Sequence, residues 1–177
     1  MGGVARFMYV SAQRFREDWQ DAFGYTDVPA LPPLPRRATA GSAGYDFYSP
    51  LAFSLAPGES VRIPTGVRAR IADGWVLMLF PRSGLGFKYR LQLNNTVGIV
   101  DADYFGARNE GHIFIKLTNA GDRLVSVGVG EAFAQGVFLP FGVTDDDDAS
   151  GERTGGFGST GKGRTEAVDT GLHREKL

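Results

Sequence analysis

Cysteine is absent from this chain of 177 residues, and histidine occurs only twice. Without thiols there is no disulfide framework and no thiolate metal site, and two His are too few for a His-rich one. Long apolar runs are missing as well. The longest unbroken one, Trp75 to Phe80, falls far short of the ~20 residues that span a bilayer. Met1 to Arg16 holds no apolar stretch of the secretory kind, and Arg6 stands where an N-myristoylation motif wants Ser or Thr. These absences lead to the expectation of a soluble, cytoplasmic protein (host cytoplasm, were the gene viral) with no membrane partner. Neither charge is in excess, since 19 Lys and Arg oppose 20 Asp and Glu for a net charge of −1. A dedicated nucleic-acid binder needs surplus cations to displace phosphate counterions, so no nucleic-acid partner is expected.

What is present is enough for a core: 42% of residues are hydrophobic, including 13 Phe and 2 Trp, which excludes global disorder. The length suits one domain with a tail. Glycine is the oddity. Its 25 residues are about twice the usual ~7%, and they gather at 41–44, 84–86, 128–130 and 151–163. Spread glycine marks the turns of an all-β protein, whereas glycine clustered beside Ser, Thr and Arg can also aim backbone donors at an anion.

Local patterns favour strands. Arg6 to Val10 alternates weakly, and Ser11 is placed to cap a helix of about three turns in which Phe15, Trp19 and Phe23 form one apolar stripe. Gly24 is its stop. No other segment reads convincingly as helix. The four prolines between Pro29 and Pro35 impose an extended chain. From Tyr45 onward, short strands alternate with turn residues: Phe47 to Leu55 broken by Pro50, Val61 and Ile63, Val67 to Ile71, His112 to Leu117, Leu124 to Val127, and Phe133 to Leu139. Trp75 to Phe80 reads as a strand buried on both faces. Such spacing predicts a sandwich or jelly-roll barrel. After the acidic run Asp145 to Asp148 apolar residues thin out, and the expectation for 144–177 is a flexible arm.

Three stretches could carry chemistry. Gly156-Phe157-Gly158-Ser159-Thr160-Gly161-Lys162 comes close to a P-loop, but Gly163 stands where Ser or Thr should bind magnesium, and no strand or helix flanks it. It is either a flexible linker or a backbone wrap for a polyphosphate, with Phe157 available to stack on a planar ring. Pro81-Arg82-Ser83-Gly84-Leu85-Gly86 puts a cation and a hydroxyl at the end of the apolar strand. Asp101 and Asp103, read as a strand continuing a hairpin that starts at Asn94-Asn95, would share one face, either as a solvated edge or as a working pair.

Together and in this order, these pieces resemble the homotrimeric dUTPase family, the deoxyuridine triphosphate nucleotidohydrolases. Ala40 to Asp46 is similar to its first motif, Pro81 to Gly86 to the second, Asn95 to Gly106 to the third, Gly130 to Gln135 to the fourth, and Arg153 to Gly161 to the fifth. The resemblance implies an all-β fold, a distorted jelly-roll barrel with one N-terminal helix and a flexible C-terminal arm. It divides the chain into an extension (1–30), a barrel core (31–143) and an arm (144–177) whose fifth motif spans 151–161. The implied activity is hydrolysis of dUTP to dUMP and pyrophosphate, limiting uracil in DNA, with Mg2+ on the phosphates. Asp101 would hold and deprotonate the attacking water. Asn95 and the backbone at Gly98 would read uracil, Tyr104 would pack under the deoxyribose, and Phe157 would lid the base. Arg82, Ser83, Gly84 and Gln135 would contact phosphates, joined from the arm by Arg153, Ser159 and Thr160. Asp46 would meet the metal through water.

The same resemblance implies a homotrimer with shared sites, and the arm is long enough for it. The 16 residues from Phe141 to Phe157 can stretch about 50 Å, against a subunit diameter of roughly 40 Å from a radius of gyration of about 16 Å. Three departures stand out: Ala132 where the family usually has Arg, an Arg153–Phe157 spacing shorter by one, and a longer stretch at 107–111 whose Arg108 could replace a missing phosphate contact. Two other readings compete. A dCTP deaminase would need Glu where Ile115-Lys116-Leu117-Thr118-Asn119 has Lys116. A nucleotide-gated protein-binding module would use the N-terminal helix as its contact surface.

Overall fold

Ser11 opens the longest helix by accepting, through its hydroxyl, a hydrogen bond from the Arg14 amide at 3.1 Å. The helix, α1 (Ala12–Phe23), ends as Gly24 turns into the left-handed region and its amide bonds Gln20. Its apolar stripe is the expected one. Phe15 and Trp19 are buried, and Trp19 stacks on Phe23 at 4.6 Å between ring centres. With Val10 they form a small core of their own, closed by Val28, Leu31 and Leu51. The computed structural model describes residues 3–151. The arm residues Arg153, Phe157, Ser159 and Thr160, and most of the predicted flexible segment, therefore lie outside the described residues.

Most of the remainder is strand and turn. In chain order the strands are β1 (Ala5–Tyr9), β2 (Arg36–Arg37), β3 (Tyr45–Tyr48), β4 (Phe53–Leu55), β5 (Ser60–Pro64), β6 (Val67–Ile71), β7 (Trp75–Pro81), β8 (Leu91–Leu93), β9 (Gly98–Val100), β10 (Phe114–Asn119), β11 (Val125–Val127) and β12 (Ala132–Pro140). A five-stranded sheet of order β2-β3-β12-β7-β9 faces a three-stranded one of order β5-β10-β8, and two-stranded pairs β1-β6 and β11-β4 complete the walls. Every pairing is antiparallel. Between the sheets lies a continuous core with Ile63, Leu77, Leu91, Ile115 and Phe133 at its centre, all without solvent exposure. Strand β1 seals one side of it, its Phe7 ring resting edge-on against Phe47 at 5.7 Å. The sequence expectation of a jelly-roll barrel holds.

Three local expectations do not. A second helix, α2 (Ser83–Tyr89), follows β7; it fully buries no residue, and only Leu85 and Tyr89 pack against the core, too brief a stripe to read as helix. Strand β7 is buried on one face only. Leu77 and Leu79 are covered, while Val76, Met78 and Phe80 on the other face are partly open. Finally, Asn94-Asn95 does not start a hairpin, because β8 pairs with β10 and β9 with β7. The turn between them is an arch joining two sheets.

Candidate active site

Strand β7 organises the candidate residues: Asp46, Arg82, Ser83, Gly84 and Gln135 gather at its C-terminal end, Gly98 pairs near that end, and Asp101 lies toward the other. At the C-terminal end, register places Phe80 opposite Gln135 and Gln135 opposite Asp46, so these side chains lie in a row on the outer face of the sheet. Gln135 is fixed there by donating from Nε2 to the Pro81 carbonyl at 3.1 Å. The Arg82 Nε lies 3.4 Å from Asp46 Oδ1, and the carboxylate is much the less exposed of the two. Gly44 leaves space for this corner: a Cβ there would stand 2.5 Å from Gln135 Oε1 and would push the amide aside. Ser83 and Gly84 are exposed in the first turn of α2, beside Arg82. Thus Asp46, Arg82, Ser83, Gly84 and Gln135, drawn from three separate stretches of sequence, converge on one polar corner. The sequence reading missed Gly44 and the Pro81 carbonyl as its supports, although Gly44 two residues before Asp46 was a usable signal.

The other candidates belong to the arch and to the turn beyond β9. Asn95 is exposed at the tip of the arch. Gly98 is buried opposite Leu79, and a Cβ on it would meet the Leu79 Cβ at 3.0 Å. Strands β8 and β9 are both edge strands among the described residues, so each carries one backbone edge not committed to a ladder. Asp101 and Asp103 do not share a strand face as expected. The chain leaves β9 at Val100 and turns into a 3-10 helix, Ala102–Gly106, with Asp101 as its extended N-cap residue, half-buried, and Asp103 exposed on the first turn. Tyr104 is only 5% exposed. Its hydroxyl donates to the His112 carbonyl at 2.8 Å and accepts from Asn109 Nδ2 at 2.8 Å.

The ends are far apart within one chain. Val100 opposes Leu77, so Asp101 sits level with Val76, six residues before Arg82. At ~3.3 Å per residue that is about 20 Å. Between them, the outer face of the sheet is apolar: Val76, Met78 and Phe80 with Val137, Leu139 and Ile99, the last two 40% and 52% exposed. Among the described residues no three His, Asp or Glu gather to hold a metal. No helix among them is long and apolar enough to cross a membrane. Of the departures, Ala132 is buried at an irregularity of the β12–β3 pairing, and the 107–111 stretch turns toward α1 through Glu110, with Arg108 exposed.

A chain with this barrel, and with these residues at these places, has clear relatives. The family model of dUTPase matches residues 32–161. The deoxyuridine 5'-triphosphate nucleotidohydrolase of Lactococcus lactis is 47% identical over 131 residues, covering 72% of this chain and 87% of that protein. The one from Hahella chejuensis is 44% identical over 137 residues, covering 73% and 87%. Among solved structures, dUTPase from Streptococcus mutans superposes with a TM-score of 0.61 at 38% identity, over 78% of this chain and 98% of that one. The D95N mutant dUTPase of Staphylococcus aureus phage phi11, described as showing the coordination of a structural Mg(II) ion, shares the fold at a TM-score of 0.60 and 20% identity, over 84% and 98%. The chain belongs to the dUTPase family. It is accordingly an enzyme, a nucleotide pyrophosphohydrolase.

Proposed function

We propose that the protein hydrolyses dUTP to dUMP and pyrophosphate at sites completed between the copies of a homotrimer. The observation that carries this reading is the separation of Asp101 from Arg82 along β7. About 20 Å of backbone between them is a long span for one nucleotide to bridge, which favours a site completed by a second copy. Copies packed on the apolar outer face of the sheet would bring the Asp101 end of one to the Arg82 end of the next, and a face this apolar favours such burial. The family match begins at residue 32, which supports an N-terminal extension ahead of the core.

In this site the arch takes the base. Uracil offers an alternating edge of donors and acceptors, which the uncommitted backbone edges at Gly98 and the Asn95 side chain can meet. An arch closed tightly around the base would leave little room for a 5-methyl group. Tyr104 lies under the deoxyribose and Phe157 closes over the base. The Asp101 carboxylate orients a water toward the α-phosphorus and receives its proton. The new P–O bond forms as the bond to the α–β bridging oxygen breaks, and pyrophosphate leaves. A positioned general base contributes about 10²–10⁴-fold, a part of the ~8–23 kcal/mol by which enzymes lower barriers. The larger share comes from donors facing the developing charge: Arg82, Ser83, Gly84 and Gln135, with Arg153, Ser159 and Thr160 from the arm. The donor set suits Mg2+ borne on the substrate rather than caged by protein, because Mg2+ keeps most of its waters and needs only one or two carboxylates. Asp46 would hold it through water. When bound, the ion neutralises phosphate charge as a Lewis acid.

The test is pyrophosphate release from dUTP, dTTP, UTP and dCTP with and without Mg2+. Release confined to dUTP and enhanced by Mg2+ supports the reading. Comparable release from dTTP or UTP removes the roles given to the arch and to Tyr104.

A further inference from the structure

The segment that carries Asp101 and Tyr104 is gripped from outside the barrel by α1. His112 is fully buried. The Gly66 amide donates to its Nε2 at 2.7 Å, which leaves the ring proton on Nδ1, and Nδ1 donates to Asp18 Oδ2 at 2.6 Å. Asp18 lies on the buried side of α1, and its other oxygen pairs with Arg14 one turn earlier at 3.1 Å. The main-chain carbonyl of the same His112 is the acceptor for the Tyr104 hydroxyl. Two residues before His112, the Glu110 carboxylate accepts both the Ser11 amide at 2.8 Å and the Ser11 hydroxyl at 2.7 Å, at the start of α1. These bonds hold the Glu110 carboxyl below its ordinary value of 4.5.

Packing alone does not account for Asp18. Phe15 and Trp19 already supply the apolar stripe of α1, and a carboxylate beneath a helix loses hydration that an apolar residue would not lose. What Asp18 does is hold one imidazole in one tautomer and orientation, and the backbone of that residue anchors the tyrosine. We propose that Asp18 is a positioning residue: through His112 it fixes the Tyr104 ring as the floor of the sugar subsite, so that the N-terminal extension sets the discrimination of 2'-deoxy from ribonucleotides. This rests on the reading of Tyr104 given above. Glu110 is the second tie of the same grip.

The experiment measures kcat and KM for dUTP and UTP in the full chain. Asp18→Ala is expected to raise KM for dUTP about ten-fold with kcat within about two-fold, and to lower the dUTP:UTP ratio of kcat/KM about ten-fold, the scale of one lost hydrogen bond. Asp18→Asn, which keeps an acceptor for Nδ1–H, restores the ratio to within about three-fold. Tyr104→Phe lowers the ratio as Asp18→Ala does, and the double variant falls no further, because both cut one relay. Unchanged KM and ratio in Asp18→Ala, or additive effects in the double variant, overturn the proposal. Should Asp18→Ala not fold, Glu110→Ala at the other tie decides: a ratio lowered about three-fold supports the grip, and an unchanged one refutes it. Wild-type enzyme that cleaves UTP as readily as dUTP would overturn the sugar-floor reading itself, whereas wild-type selectivity with an unaffected Asp18→Ala removes only the role of Asp18.

Discussion

The two ends of β7 differ in how their polar groups are held. At the Arg82 end the supports come from the barrel itself: Gln135 hangs on the Pro81 carbonyl, Asp46 faces Arg82, and Gly44 makes room. At the Asp101 end the supports come from an added element, through the Asp18–His112 and Ser11–Glu110 contacts, and from the Arg68 guanidinium, which lies 3.7 Å above the Phe105 ring. On the roles proposed above, the phosphate corner is intrinsic to the fold, whereas the nucleoside segment depends on what surrounds it. Groups that must recognise any triphosphate can be built once. Groups that must tell one sugar from another need a tighter frame.

The sharpest way to break this comparison is to separate the copies. Met78→Glu places a charge in the middle of the apolar outer face; light scattering should show dissociation and hydrolysis should fall by roughly two orders of magnitude or more, since an unpaired charge cannot be buried there. Unaltered assembly would mean that this face is not the interface. Next, Asp101→Asn and Arg82→Ala should each lose roughly 10²–10⁴-fold in kcat. Mixed equally, unfolded and refolded together, they should recover about a quarter of wild-type activity, because random assembly pairs an intact Asp101 end with an intact Arg82 end at about one site in four. No recovery would place both ends in one site within a chain. A smaller effect concerns the frame: Trp19→Ala should cost about 3–5 kcal/mol, read as a fall in Tm of roughly 6–20 °C. The smallest is acid sensitivity. The folded pKa of Glu110 lies below its ordinary 4.5, so its stabilisation is complete above that value and is lost as the pH falls through the lowered one. Glu110→Gln should therefore flatten the acid limb of a plot of Tm against pH, modestly, because the group is partly open to solvent.

Much of this was visible in the chain itself. Helix α1 was legible because Ser11, the four-residue spacing of Phe15, Trp19 and Phe23, and Gly24 all say the same thing. The five motifs were legible as a set, and the family match agrees. Helix α2 was not, because Ser83-Gly84-Leu85-Gly86 is poor in helix formers and its apolar stripe is only the pair Leu85 and Tyr89. The outer row of β7 misled for another reason: an apolar residue left partly open on the outer face and one that meets the core look the same in sequence. The strand reading of Asp101 to Asp103 failed because alternation over three residues does not distinguish a strand from a turn. His112 gave no signal at all, since its partner Asp18 lies 94 residues away.

The bond between Ser11 and Glu110 joins positions 99 apart, and β1 reaches across to β6 in the same way. The grip of α1 on the 101–112 turn can therefore close only once Glu110 is in place, although Val28, Leu31 and Leu51 can cover its apolar stripe before that. Closures over such spans slow folding. A chain caught before that step would hold α1 by its apolar stripe alone, which makes the unlatched helix the place where proteases and chaperones first meet it.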